Sequence, residues 1–217
     1  MKQIGSEELL NLNKLPIIEN RKISISKMCR GKSVITIGCV SMIEVIEDYK
    51  AHINSENFQL YNLNKYCKNV IGIDVNQEGI NKLKKYGYKN VYKYDIFTDQ
   101  IDEIDNKEYD VLILSHVIEH VPDMYNFLKK TIEKFKFKKI IVAVPSSYDF
   151  GPVMKLVLKK QEVISNDHYY TFSPVTLKKL LESLDIQTEK IYIDREKNPK
   201  LINKHKNIFR RYIGKMV

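Results

Sequence analysis

Residues 109–115 read Tyr-Asp-Val-Leu-Ile-Leu-Ser, and residues 116–120 continue as His-Val-Ile-Glu-His. The first stretch is nearly all apolar, which is typical of a strand buried on both faces of a parallel sheet. Pro122 stands shortly after the second stretch, so at most one helical turn fits between the strand and the proline. The sequence therefore predicts a buried strand that ends in a short polar turn.

Further apolar runs lie on both sides of this strand, and helical patterns separate most of them. They predict strands over residues 33–37, 70–74, 91–95, 139–144 and 187–193, and helices over residues 6–12, 77–86, 123–135 and 173–184. Alternating strands and helices are typical of a sheet covered on both faces. We therefore expect an α/β fold, a Rossmann-like three-layer sandwich with a mostly parallel, seven-stranded sheet.

The length of 217 residues suits one such domain. We expect residues 1–30 to form a helical lead-in, residues 31–194 to form the domain, and residues 195–217 to form a basic tail. The tail carries eight Lys or Arg and one Glu, so it holds +7 of the total net charge of +9. It is predicted either to complete the sheet or to remain a solvated terminus.

Composition narrows the class of protein. No apolar run is long enough to span a membrane, and the polar N-terminus does not resemble a signal peptide. The three cysteines are too few and too widely spaced for a disulfide framework. A cytoplasmic protein is expected. No nucleic-acid recognition motif accompanies the basic tail, which disfavours nucleic acid as a partner although the charge leaves it open. The sequence does not predict the oligomeric state.

Small or polar residues follow four of the predicted strands. They are Gly38-Cys39, Asp74, Asp95 and Ser115-His116. In open parallel sheets, ligands bind outside the carboxyl ends of the strands. Glycine lets backbone approach a ligand closely, and a carboxylate can accept hydrogen bonds from ribose hydroxyls. A nucleotide-like ligand is therefore predicted at this edge.

These segments resemble the motifs of the class I S-adenosylmethionine-dependent methyltransferases. The matching segments are residues 34–39, 70–74, 91–96, 110–123, 139–145 and 167–181, within roughly residues 30–193. The resemblance implies S-adenosylmethionine as cofactor and methyl transfer to oxygen or nitrogen of a small-molecule acceptor or glycan component. It implies cofactor contacts from Gly38, Cys39, Asp74, Val75, Asp95, Ile96, Ser115 and His116, and it places His168 near the acceptor as candidate catalytic base.

The first motif departs from the family pattern. Thr36 stands where the family usually has an acid, and Val40 and Met42 stand where it usually has glycines. The long segment between Gly38 and Asp74 is expected to add a loop or helix over the cofactor. The departures leave open an alternative, a catalytically silent domain that binds an adenosyl ligand or a polyanion. A nicotinamide dehydrogenase is disfavoured, because no Gly-x-Gly-x-x-Gly follows the first strand.

His116, Glu119 and His120 fit the zinc-peptidase pattern H-x-x-E-H. That chemistry needs both histidines on one face of a stable helix and a third protein ligand. The short turn before Pro122 does not provide such a helix, so the sequence predicts no metal. A divalent ion at Glu119 and His120 that assists methyl transfer to oxygen is the weaker alternative.

Overall fold

A computed structural model describes residues 8–40 and 48–194. The strands are β1 Ile17–Ile18, β2 Ser33–Ile37, β3 Asn69–Asp74, β4 Val91–Lys93, β5 Glu108–Ser115, β6 Lys136–Ala143 and β7 Ile193–Asp194. The helices are α1 Arg21–Met28, α2 Tyr49–Ile53, α3 Gln59–Tyr66, α4 Gln77–Lys85, α5 Asp102–Asp105, α6 Met124–Lys134, α7 Phe150–Lys159 and α8 Pro174–Glu182. Leu12–Lys14 and Ile118–His120 form short 3₁₀ turns.

Five strands form one parallel sheet in the order β4-β3-β2-β5-β6. In the centre of the sheet, Ile37 pairs with Ile73 on one side and with Leu114 on the other. Because all five strands run in the same direction, their carboxyl ends lie along one edge. The predicted α/β sandwich with a mostly parallel sheet is confirmed.

The remaining two strands, β1 and β7, form a separate parallel pair. The described residues thus contain seven strands, divided five and two. The strand predicted over residues 187–193 is wrong in its extent, since extended pairing starts only at Ile193. The Ile193 N–H donates to the Pro16 carbonyl at 3.0 Å, so the chain pairs here with the N-terminal lead-in.

Alternating side chains of β5 divide the core into two layers. Val111 and Ile113 pack with α1, α3 and α4 on one face of the sheet. Leu112 and Leu114 pack with α6 and α8 on the other face. All four side chains are buried, which explains the continuous apolar run in the sequence.

Side-chain caps fix the starts of two of the helices. The Asn76 side chain accepts from the Gly79 N–H, so α4 begins at Gln77 with only two residues between it and β3. Ser173 caps α8 reciprocally with Thr176, as a capping box. The short connection after β3 holds its last residues in a defined backbone geometry at the sheet edge.

Several predictions made from the sequence fall outside the described residues. They include Met42, residues 6 and 7 of the helix predicted over residues 6–12, and the whole basic tail, residues 195–217. Where that helix reaches the described chain, residues 8–11 are not helical. Among the described residues, no helix is both long and apolar enough to cross a membrane.

Candidate active site

Gly38 forms the tight turn at the end of β2. Its φ is +72°, a conformation that favours glycine. Its N–H donates to the Ile73 carbonyl at 2.9 Å. A Cβ at this position would lie 2.5 Å from Cγ2 of Val117, just beyond β5. The turn therefore brings the ends of three neighbouring strands into close approach, and only glycine fits between them.

Asp74, the last residue of β3, turns its carboxylate onto this turn. Its Oδ2 accepts from the Val40 N–H and its Oδ1 accepts from the Asn76 N–H, both at 2.9 Å. Burial raises the pKa of this carboxyl group, although these backbone donors oppose the shift. Each carboxylate oxygen can accept a second hydrogen bond. Asp74 is thus fixed in place and still able to bind a pair of hydroxyls.

Two apolar residues next to Asp74, Val75 and Cys39, differ in their exposure to solvent. Val75 is 65% exposed, unusual for an apolar residue beside a buried strand, whereas Cys39 is buried. The Cys39 side chain packs where a Cβ on Gly72 would stand, and its N–H donates to the Ile73 carbonyl at 3.2 Å. Cys39 thus shapes the turn from inside, and Val75 exposes apolar surface next to Asp74.

Tyr49, at the start of α2, supplies a polar atom that sequence reasoning missed. Its hydroxyl is buried and has no hydrogen-bond partner among the described residues. Burial, with the nearby groups of Cys39 and Asp74, raises the pKa of Tyr49 to about 12. The segment between Gly38 and Asp74 was expected to place a loop or helix here, but nothing in its pattern singled out this tyrosine.

Asp95 and Ile96 follow β4, next to Asp74. The Tyr94 N–H donates to the Asp74 carbonyl at 2.8 Å. The Asp95 Oδ1 accepts from the Phe97 N–H at 2.9 Å, which folds the loop into a turn. Ile96 is buried in the core. Backbone and the Asp95 carboxylate are therefore what this loop presents at the edge.

The end of β5 contains a strained residue. His116 has a φ of 58°, which costs a non-glycine residue of order 1–3 kcal/mol. Its N–H still donates to the Ala143 carbonyl at 2.8 Å, and burial lowers the pKa of its imidazole to about 3. Ser115 accepts a hydrogen bond from Arg21 at 2.5 Å, a contact with the lead-in that sequence reasoning missed.

His168 lies beside the turn that follows β5. Its ring is 4.6 Å from the ring of His120, edge to face. The neighbouring Tyr169 N–H donates to the carbonyl of Glu119 at 2.8 Å. The loop that carries His168 is thus fastened to the end of β5, next to the predicted cofactor edge.

The structure therefore brings the predicted residues to one edge of the sheet. Gly38, Asp74, Asp95 and Ser115 end neighbouring strands, while His168 joins from a distant loop. Among the described residues, the buried Tyr49 hydroxyl without a hydrogen-bond partner and the fixed Asp74 carboxylate next to the tight Gly38 turn offer the kind of polar groups that an adenosyl group requires. The residues present fit S-adenosylmethionine. The individual roles of these residues remain predictions.

Comparison with known proteins agrees with this geometry. Residues 30–190, more than half of the chain, match the sequence model of a family described as a methyltransferase domain. The ubiquinone biosynthesis O-methyltransferases of two strains of Rickettsia bellii are each 26% identical to the chain over 137 residues, which are 60% of this chain. The match spans 57% of the length of those relatives.

Solved structures share the fold. The small RNA methyltransferase HEN1 is 20% identical with a TM-score of 0.55, and the match covers 82% of this chain and 23% of that one. The YcgJ protein from Bacillus subtilis is 13% identical with a TM-score of 0.50, and the match covers 75% of this chain and 67% of that one. At these identities the likeness concerns the fold alone.

Proposed function

Since the chain belongs to the class I S-adenosylmethionine-dependent methyltransferase family, we propose that it transfers a methyl group from S-adenosylmethionine to a hydroxyl oxygen of a small molecule. The observation that carries the proposal is the continuous edge from Asp74 through Gly38 and Val117 to Glu119. The proposal is supported because the predicted cofactor residues Gly38 and Asp74 lie on the same sheet edge as the polar, proton-binding side chains that follow β5.

Each part of the edge has a task in such a reaction. Bound S-adenosylmethionine supplies an activated methyl group on a sulfonium, whose sulfur keeps the electron pair when the methyl group leaves. The protein's task is to hold donor and acceptor in line, which contributes up to about 7–11 kcal/mol to catalysis. Asp74 and the Gly38 turn hold the cofactor side. The turn of Glu119 and the loop of His168 hold the acceptor side.

The choice of oxygen as acceptor has two supports. The curated relatives are named O-methyltransferases. A hydroxyl also needs to lose its proton during transfer, and the acceptor side carries three groups that bind protons or ions, namely Glu119, His120 and His168. The sequence left both oxygen and nitrogen open as the atom that accepts the methyl group. Of these two, we propose oxygen.

The segment next to the acceptor side favours an apolar acceptor over a glycan component. This segment, residues 147–171, begins and ends at the same place, because Ser146 and Phe172 pair in an isolated parallel β-bridge. Between these points Leu156, Val157 and Leu158 on α7 are more than half exposed. Exposed apolar patches commonly mark binding surfaces, and this one runs along the chain directly into the His168 loop.

The test is transfer of labelled methyl from S-adenosylmethionine to a panel of small acceptors. The panel pairs each apolar phenol with its amine analogue and with a simple sugar. We expect incorporation with phenols, and a large loss in His168→Gln but not in His52→Gln, a control on α2. Incorporation only into amines or sugars would contradict the proposed acceptor. Cofactor binding without transfer to any of them would favour the catalytically silent alternative.

A further inference from the structure

Glu119, His120 and His168 form a compact group of side chains at the acceptor side. One ligand atom from each residue lies within 4.8 Å of the others. Among residues 8–40 and 48–194, this is the single cluster of its kind that could hold a metal ion. Two of the residues come from the 3₁₀ turn after β5, and the third comes from the loop before α8.

Glu119 is the unusual member of the group. Its side chain is 0% exposed, and neither carboxylate oxygen has a hydrogen-bond partner among the described residues. The Nδ1 atom of His116 lies 3.4 Å from Oε1 of Glu119 but forms no hydrogen bond with it. An ionised carboxylate without hydrogen bonds is very costly to bury. A cation bound against Glu119 would compensate the charge.

Contacts with Asp167 hold the His120 imidazole in place. The His120 Nδ1 lies 3.1 Å from the Asp167 carbonyl oxygen and 3.3 Å from its Oδ2. A histidine that ligates a metal nearly always donates its other ring N–H to a carbonyl or carboxylate in this way. The Tyr169 N–H fastens the same loop to the Glu119 carbonyl. The backbone thus holds the ligands together in advance.

We propose that Glu119, His120 and His168 bind a divalent first-row transition cation. Two imidazole nitrogens and one carboxylate favour manganese, cobalt or zinc over magnesium and calcium, which prefer oxygen ligands alone. Three protein ligands leave positions open for another molecule, as in catalytic metal sites. The sequence disfavoured metal because the short turn before Pro122 provides no stable helix that could present two histidine ligands on one face. The fold supplies a third ligand from His168.

The role of the cation rests on the proposed function. An acceptor hydroxyl in an open position would bond to the cation through oxygen, and its pKa would fall as that of metal-bound water does. Its proton would pass to water, and the oxygen would then bond to the methyl carbon. On this account His168 is a metal ligand, in place of the general base that the sequence predicted.

To test the proposal, the full chain is first treated with a chelator. It is then titrated with manganese chloride, followed by calorimetry, and with cobalt chloride, followed by visible absorption. We expect one cation per chain and cobalt d–d bands from a mixed nitrogen and oxygen site. Glu119→Gln and His168→Gln should bind at least about 100-fold more weakly. Asp167→Asn, which removes the carboxylate next to His120, should bind roughly 10–100-fold more weakly. His52→Gln should bind as the wild type does.

Two further measurements separate folding and function from binding. Glu119→Gln should unfold no earlier than the wild type in chelator, because a neutral amide replaces a buried carboxylate. Wild-type protein that is folded but gives neither heat nor cobalt bands would overturn the proposal, as would unchanged affinity in both ligand variants. Cation binding by a chain that transfers no methyl would refute the proposed function and leave the cation site supported.

Discussion

The close approach of Gly38 to Val117 predicts a specific loss of stability in Gly38→Ala. A left-handed φ costs an alanine about 1–2 kcal/mol. The new Cβ would lie 2.5 Å from Cγ2 of Val117, and overpacking of this kind adds about 1–3 kcal/mol. Together the two effects predict a loss of about 2–5 kcal/mol in the free energy of unfolding, measured by urea denaturation.

Gly31 provides a matched control. Its φ is +70°, close to the +72° of Gly38, and a Cβ there would meet nothing within 4 Å. Gly31→Ala should therefore lower the free energy of unfolding only by the cost of the left-handed backbone, about 1–2 kcal/mol. The variant Val117→Ala removes the Cγ methyl groups. In that background, Gly38→Ala should lower the free energy of unfolding by about as much as Gly31→Ala does in the wild type. Equal losses in the two single glycine variants, or strictly additive losses in the double variant, would refute the reasoning.

Three further predictions concern packing, charge and capping. Leu128→Ala on α6 removes a fully buried side chain and should cost about 2–5 kcal/mol of unfolding free energy, whereas Tyr125→Ala on the same helix, which is 44% exposed, should cost within about 0.5 kcal/mol. The hydrogen bond from Lys138 holds the pKa of the Asp110 carboxyl below its usual value, so its stabilisation is present above about pH 4 and is lost as pH falls through the folded-state pKa. The stability difference between wild type and Asp110→Asn should therefore shrink when urea unfolding is repeated at acid pH, and a constant difference would contradict the sign. Ser173→Ala removes the cap of α8 and should cost about 1 kcal/mol in thermal or urea unfolding, and no loss would mean that the cap contributes nothing.

The sheet and the polar residues at its carboxyl edge were predictable because their signals are local. The apolar run of β5 and the polar residues behind it are adjacent in sequence, so the end of the strand is visible without the fold. Gly38 and Asp74 likewise stand directly at the ends of their own apolar runs. Such features follow from strand periodicity and from the common direction of the strands.

The parts that the sequence did not reveal depend on contacts between distant segments. His168 meets Glu119 only because the loop before α8 returns to the end of β5. Arg21 reaches Ser115 from a helix in the polar lead-in, which has no functional signature. Helix α7 was not among the predicted helices; its Pro152 lies in the first turn, where proline is tolerated.

Binding of S-adenosylmethionine, measured by calorimetry, tests the central claim most directly. We expect the wild type to bind the cofactor and its demethylated product, and not NAD. Asp74→Ala should bind at least about 10-fold more weakly, since hydrogen bonds to a charged group contribute about 1.5–3 kcal/mol each. Asp110→Asn, near the opposite end of the sheet, should bind as the wild type does. Absence of heat from folded wild-type protein, or equal binding by Asp74→Ala, would contradict the account.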